Sequence, residues 1–348
     1  MKKPFCLILS AALLLLSLSA CQGPWLSKER YTGSFYELFD TVSTVVAYDD
    51  SQAAFDEHLS QLEAELQKYD QLYDIYHTYD GLTNLCTVNA AAAQAPVKVD
   101  EKIMALLVFA KEAYTLTEGN TNVAFGAVLQ LWHAAREAAD ADPDTAYLPD
   151  AAALTAAAAH TDINDLVLDE AASTVYFADP LLQLDVGAVA KGFAVREVCR
   201  WAAENLWSAA AISIGGNVYT VGYKNDDGKT LWNVQLENPY QDGEPATETV
   251  HVANLAVVTS AENQRYYTVD GKRYCHIINP STLFPSEYTA SVSVICEDSA
   301  VADALSTALF NLPIEEGKAL VERLDGVEAL WQTQEHTVET TGGFEQYQ

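Results

Sequence analysis

The stretch Val301 to Phe310, "VADALSTALF", carries the residues on which the reading of this chain turns. Alanine and leucine dominate it and neither glycine nor proline interrupts, so it suits a helix. On a helix Asp303 and Thr307, four positions apart, project from one face. Ala300 and Phe310 flank that face, while Val301, Leu305 and Leu309 form the opposite stripe. A solvated face carries Lys or Glu, and this one carries neither. Two readings stand at this point. Either Asp303 is a lone surface acid beside a Thr307 hydroxyl bonded back to the preceding turn, or the two form a polar pair facing something buried.

At the other end, "MKKPFCLILSAALLLLSLSACQGP" places two lysines before an apolar run of about a dozen residues, too short to span a bilayer. The run closes on Leu18-Ser19-Ala20-Cys21, which resembles a bacterial lipoprotein processing box. We therefore expect a signal peptide over 1-20, lipidation at the Cys21 thiol, a tether over 21-32 and a folded body over 33-348. The protein is then exported and held by acyl chains at the extracytoplasmic face of a cell membrane.

The 348 residues carry 49 acidic and 19 basic side chains, a formal net charge of -30; loss of Lys2 and Lys3 with the leader makes it -32. Such a surface repels nucleic acid and anionic lipid. Any phosphate site must gather positive charge locally, from a metal, a lysine or helix N-termini. Cys6, Cys21, Cys86, Cys199, Cys275 and Cys296 include no CxxC pair and no zinc spacing, so they read as small buried residues; one disulfide remains open.

Periodicity gives a coarse map. Gln52 to Asp74 is an amphipathic helix with Phe55, Leu59, Leu62, Leu66 and Tyr69 on one face. "DEKIMALLVFAKEAYTLTEG" is a second helix ended by Gly119, and an Ala-rich region follows through His160. "FDTVSTVVAYD", "TVYFAD", "LQLDV", "AAISIGGNVYTVGY", "WNVQLEN", "HVANLAVVTSA", "RYYTVDGKRYCHII" and "SVSVICE" read as strands. "AKGFAVREVCRWAAENL" reads as a helix between them. Strands clustered between helices and joined by turns such as Val269-Asp270-Gly271-Lys272 argue for an α+β fold with mixed or antiparallel sheets in one domain. No Rossmann or Walker fingerprint is present.

Chemistry concentrates in the second half. In "LDVGAVAKGFAV" a strand delivers Asp185, Gly187 and Ala188 form a turn, and a helix begins near Ala190 with Lys191 in its first turn. Helix amides, a lysine and small residues suit a diphosphate, although Asp185 as a simple cap and Lys191 as a solvated amine fit equally. "HIINPSTLFP" presents His276 on a rigid loop, a common setting for a structural histidine too.

The order of these pieces is more specific than any one of them. "NVAFGAVLQLWHAAR", "LDVGAVAKGFAV", "ISIGGNVYTVG", "WNVQLENP", "VVTSAENQRYYTVDGKRYCHIINP" and "VADALSTALF" succeed one another from about Phe39 to Phe310 as in the ApbE family, the FAD:protein FMN transferases, which this chain resembles. Lipid-anchored members are common in that family. The resemblance implies that Asp303, Thr307 and the backbone carbonyl of Ala188 bind Mg²⁺, a small set of hard oxygens that leaves positions open for substrate. It implies that FAD, as substrate, contacts Phe39, Asn122, Val123, Ala124, Asp185, Lys191, His276 and Ile277. Asn122 and Ala124 replace the family's usual acid and threonine, and Ser281-Thr282-Leu283 replaces its Arg-Thr-Gly.

The implied reaction is Mg²⁺-assisted transfer of FMN from FAD to a Ser/Thr hydroxyl of an exported acceptor protein, releasing AMP, with His276 and Asp303 as the catalytic residues. Acceptors resemble Asp-Gly-x-Ser/Thr-Gly-Ala-Thr; "DGLTN" at Asp80 and "DGKTL" at Asp227 do not continue so, which casts the chain as modifier rather than substrate. Two rivals share these features: an Mg²⁺-dependent FAD hydrolase giving FMN and AMP, and a lipid-anchored flavin-binding protein.

Overall fold

The computed structural model describes residues 28-240 and 248-348. The expected signal peptide, the expected lipidation site Cys21 and the expected tether up to residue 27 fall outside the described residues. Eight strands build the main sheet: β1 (Glu29–Tyr36), β2 (Val42–Asp49), β3 (Ala210–Ile214), β4 (Asn217–Val221), β5 (Ala256–Ala261), β6 (Ser291–Cys296), β7 (Glu328–Gln332) and β8 (Val338–Thr340). They lie side by side in chain order, and every neighbouring pair is antiparallel. Helices are inserted between consecutive strands, which gives the α+β architecture expected from the alternating segments.

Four helices position the site: α1 (Gln52–Tyr73), α2 (Gly126–Ala141), α3 (Ala190–Asn205) and α4 (Ser299–Phe310). On α1, Ser51 caps the N-terminus by accepting from the Ala54 N–H, and Phe55, Leu62 and Leu66 are wholly buried. Each such side chain contributes roughly 1.5–3 kcal/mol relative to an exposed one. The Ala-rich region is two helices, α2 and Ala151–Ala158, separated at Asp142-Pro143 because proline cannot continue a helix interior.

The helix of the opening stretch differs from its expected two-faced form. It packs between α3 and strands β5 and β6, and every residue from Ser299 to Phe310 except Val301 and Thr307 is buried. Strand β6, Ser-Val-Ser-Val-Ile-Cys, is likewise buried at all six positions. Val292, Val294 and Cys296 face the helix side, while Ile295 packs with Val234, Leu236, Val250 and Val252 of a two-stranded ribbon on the other side. A sheet covered on both faces buries successive positions rather than alternate ones, and the buried Ser291 and Ser293 are partnered by Gln332 and Thr259.

Three boundaries shift. The tether expected through residue 32 gives way to β1 at Glu29, where Thr32 already pairs with Val46. The "FDTVSTVVAYD" strand starts only at Val42, because Phe39 and Asp40 adopt left-handed backbone in a tight turn. "LQLDV" forms no strand; Gln183 makes one isolated bridge to Phe125, and Gly126 is needed there because a Cβ would lie 2.5 Å from the Gln183 carbonyl oxygen. The Asp270-Gly271 hairpin forms as read, with both residues at positive φ. Cys86, Cys199, Cys275 and Cys296 are free thiols, and the last three are buried.

Candidate functional site

A cavity of about 780 Å³ opens where several element ends converge. The β1–β2 hairpin tip supplies Phe39, the loop after α1 supplies Tyr76, the segment before α2 supplies Asn122, and the middle of α2 supplies His133. The turn before α3 contributes Asp185 and Ala188, the first turn of α3 contributes Lys191, the β3–β4 turn contributes Gly215, and the loop after the Asp270 hairpin contributes His276 and Ile277. Thr307 of α4 lines the wall. Residues far apart in sequence meet because strand ends and helix starts lie at one end of the sheet.

The expected residues divide by depth. Phe39, Asn122, Asp185, Ala188, Lys191, His276, Ile277 and Thr307 border the cavity. Val123 and Ala124 do not; their side chains are packed in the core beneath it. Val123 acts through its backbone, whose carbonyl accepts the Asp185 N–H at 2.8 Å. Asn122 braces the same segment: its Nδ2 donates to the Thr161 carbonyl at 2.9 Å and its Oδ1 accepts the Ala124 N–H at 2.9 Å. Asp303 lies one layer deeper, 5 % exposed, with Oδ2 accepting the Gly192 N–H at 2.7 Å.

The local chemistry separates readings that were open in the sequence. Asp185 does not cap α3; its Oδ1 accepts the Gly187 N–H at 2.9 Å and so closes the turn before the helix. Lys191 is no solvated amine, since it is half-buried and its Nζ donates to the Gly215 carbonyl at 2.9 Å. Thr307 is not back-bonded. Thr115, Thr117 and Thr155 each donate to the carbonyl four residues earlier, whereas the Asp303 carbonyl accepts from Ser306 and the Thr307 hydroxyl has no partner among the described residues. An unpartnered hydroxyl at a cavity wall is available to a ligand.

Burial pushes the Asp303 carboxyl up and the Lys191 amine down, and the opposite charge of each works against that shift. Asn217 adjoins Asp303 and favours its charged form, yet its buried amide meets no partner in hydrogen-bond geometry. His276 is pushed down to about 4, by burial first and then by the Arg265 guanidinium, with Arg136 and Lys191 adding smaller repulsions. Its Nδ1 lies 3.1 Å from the Arg265 carbonyl oxygen, so Nδ1 carries the proton and Nε2 keeps its lone pair.

Among the described residues no three His, Cys, Asp or Glu side chains cluster as a metal site. A divalent cation here would rest on one carboxylate, one hydroxyl and one carbonyl, from Asp303, Thr307 and Ala188. The buried, cation-attracting Asp303 beside the free Thr307 hydroxyl and the unsatisfied Asn217 amide fits such a sparse oxygen set.

Sequence reading passed over several cavity residues. Tyr76, 52 % exposed, stacks on His133 with ring centroids 4.9 Å apart. Asp70 accepts the Phe39 N–H at 2.8 Å and holds the hairpin tip. Arg136 and Arg265 bring positive charge to the walls. The scarcity of cations in so acidic a chain was the signal that could have drawn attention to the two arginines.

The ApbE family profile matches residues 39–331. A FAD:protein FMN transferase of Treponema pallidum is 34 % identical over 271 residues, covering 74 % of this chain and 73 % of its own length. One from Klebsiella pneumoniae is 31 % identical over 252 residues, covering 72 % and 75 %. The crystal structure of an ApbE protein from Thermotoga maritima superposes with a TM-score of 0.79 at 25 % identity, covering 92 % of this chain and 99 % of that one. A flavin transferase ApbE from Vibrio cholerae shares the fold with a TM-score of 0.76 at 23 % identity, covering 92 % of this chain and all of the other. With a match spanning most of its length and relatives above 30 % identity, the chain belongs to the ApbE family.

Proposed function

We propose that this protein transfers FMN from FAD to a Ser or Thr hydroxyl of an exported acceptor protein and releases AMP, acting from a lipid anchor at Cys21 on the extracytoplasmic face of a membrane. The observation that carries the reading is the Thr307 hydroxyl, unpartnered at the cavity wall one helical turn from the buried Asp303 carboxylate, in a chain of this family.

Asp303, Thr307 and the Ala188 carbonyl are the groups that would hold Mg²⁺. A bound Mg²⁺ supplies charge neutralisation to a diphosphate and to the leaving AMP. Lys191, fixed by its bond to the Gly215 carbonyl, offers a second positive charge to the same phosphates. Asp185 and Gly187 hold the turn open for close approach of the dinucleotide. The acceptor oxygen attacks the FMN-side phosphorus, the bond from that phosphorus to the bridging oxygen breaks, and AMP leaves with that oxygen. His276 Nε2 receives the hydroxyl proton; its lone pair is free at neutral pH, and the negative charge of a bound dinucleotide raises its basicity.

The test is incubation of the protein with FAD, Mg²⁺ and an acceptor peptide carrying Asp-Gly-x-Thr-Gly-Ala-Thr. Flavin-labelled peptide and AMP in equal amounts support the reading. AMP without labelled peptide points to the hydrolase, and intact bound FAD to a flavin-binding protein. Globomycin-sensitive processing and labelling with a palmitate analogue, both lost in Cys21→Ala, test the anchor.

A further inference from the structure

Arg136 lies on α2, half-buried, with its side chain on the cavity wall. Its Nη2 meets the Nδ1 of His133 at 2.9 Å, and His133 Nε2 lies 3.3 Å from Glu137 Oε1. With Nδ1 accepting from the guanidinium, the Nε2 edge of the ring is left facing Glu137. An imidazole orients the guanidinium but brings no negative charge to cancel its own. Among the described residues no carboxylate comes within ion-pair distance of Arg136.

That is unusual in a chain with 49 acidic and only 19 basic side chains. Arg196, also partly buried, shows the ordinary solution: it pairs with Glu197 at 2.9 Å and Asp298 at 3.2 Å and lies over the Phe193 ring. Three of the carboxylates that line the cavity accept backbone N–H groups. Asp70 takes the Phe39 N–H, Asp74 takes the Tyr76 and His77 N–H groups, and Asp185 takes that of Gly187. Arg136, Asp185, Lys191 and His276 line one cavity, and the guanidinium charge reaches both Asp185 and His276. Half-desolvating a guanidinium without a counter-charge is costly, and a cavity wall is where an incoming anion removes that cost. Arg favours phosphate because its planar fork can donate two parallel hydrogen bonds.

We propose that Arg136, aimed by His133, binds the diphosphate of the dinucleotide as a second cationic contact alongside Lys191. The inference rests on the dinucleotide reading above. It assigns recognition of phosphate, and not of the flavin ring, to this residue; the adjoining Tyr76–His133 stack is a separate surface for a flat ring.

Equilibrium binding without acceptor tests it, whether or not FMN is transferred. The ligands are FAD, ADP (diphosphate without flavin) and riboflavin (flavin without phosphate), followed by calorimetry and flavin fluorescence. Arg136→Gln should weaken FAD and ADP by about ten- to a hundredfold, the loss expected for one charge-assisted contact, and leave riboflavin within about twofold. Arg136→Lys should recover part of the loss, and carries the test alone if thermal melts show that the Gln variant does not fold. Equal weakening of riboflavin, or unchanged binding of FAD and ADP, overturns the assignment. Failure of the unaltered protein to bind FAD or ADP would instead overturn the dinucleotide reading itself.

Discussion

Gly192 and Asp303 touch where α3 packs on α4. The Gly192 N–H donates to Asp303 Oδ2 at 2.7 Å, and a Cβ on residue 192 would lie 2.3 Å from the Asp303 Cβ and 2.5 Å from the Ser299 carbonyl oxygen. Only a residue without a side chain permits this approach, which sets the carboxylate beneath Lys191. Gly192→Ala should therefore cost about 1–3 kcal/mol of stability through overpacking and displace Asp303, lowering activity more than the melting point suggests. Chemical denaturation and turnover on the same preparation check both parts.

Asp303→Asn retains an oxygen to accept the Gly192 N–H and removes only the charge. We expect stability within about 1 kcal/mol of the parent, since a neutral hydrogen bond replaces a charged one. FMN transfer should fall at least a hundredfold, on the order expected when an electrostatic group at the reacting centre is removed. Turnover near the parent level at saturating Mg²⁺ would refute the metal assignment.

Thr307→Val is the complementary change. The hydroxyl has no intramolecular partner to lose, so the melting temperature should stay the same or rise slightly. The Mg²⁺ concentration giving half-maximal transfer should rise severalfold. A surface threonine would give no such displacement.

His276 provides a pH signature. Its pKa of about 4 in the folded chain lies below the ordinary 6.5, so the unfolded chain takes up a proton in that interval that the folded chain refuses. This contribution to stability is fully present above about pH 6.5 and declines as pH falls toward 4. Melting temperatures of His276→Gln should depend less on pH over that window than those of the parent. The ring remains partly open to the cavity, which keeps the effect modest.

The hairpin tip carries Glu37, Phe39 and Asp40 at positive φ, 81°, 53° and 52°, a conformation that non-glycine residues hold only under constraint. Asp70 supplies part of that constraint through the Phe39 N–H. Asp70→Ala should raise the FAD dissociation constant and KM severalfold with a smaller effect on kcat, and Asp70→Asn, which keeps an acceptor, should restore most of the loss. Equal behaviour of the two variants would separate Asp70 from the tip.

Relations inside a single element were legible from residue order. Helical geometry alone puts Asp303 and Thr307 on one face, Asp270-Gly271 alone demands a tight hairpin turn, and the succession of motifs from Phe39 to Phe310 was enough to suggest the family. Such features depend on neighbours a few positions away, which the backbone holds at known distances. Tertiary packing decided the rest. It buried Asp303 against Gly192, 111 residues distant, and left Thr307 without its back-bond. It withdrew Val123 and Ala124 into the core, and turned Arg136, Lys191 and His276 toward one cavity. Those outcomes depend on how side chains from remote segments share volume and charge, and no spacing along the chain encodes them.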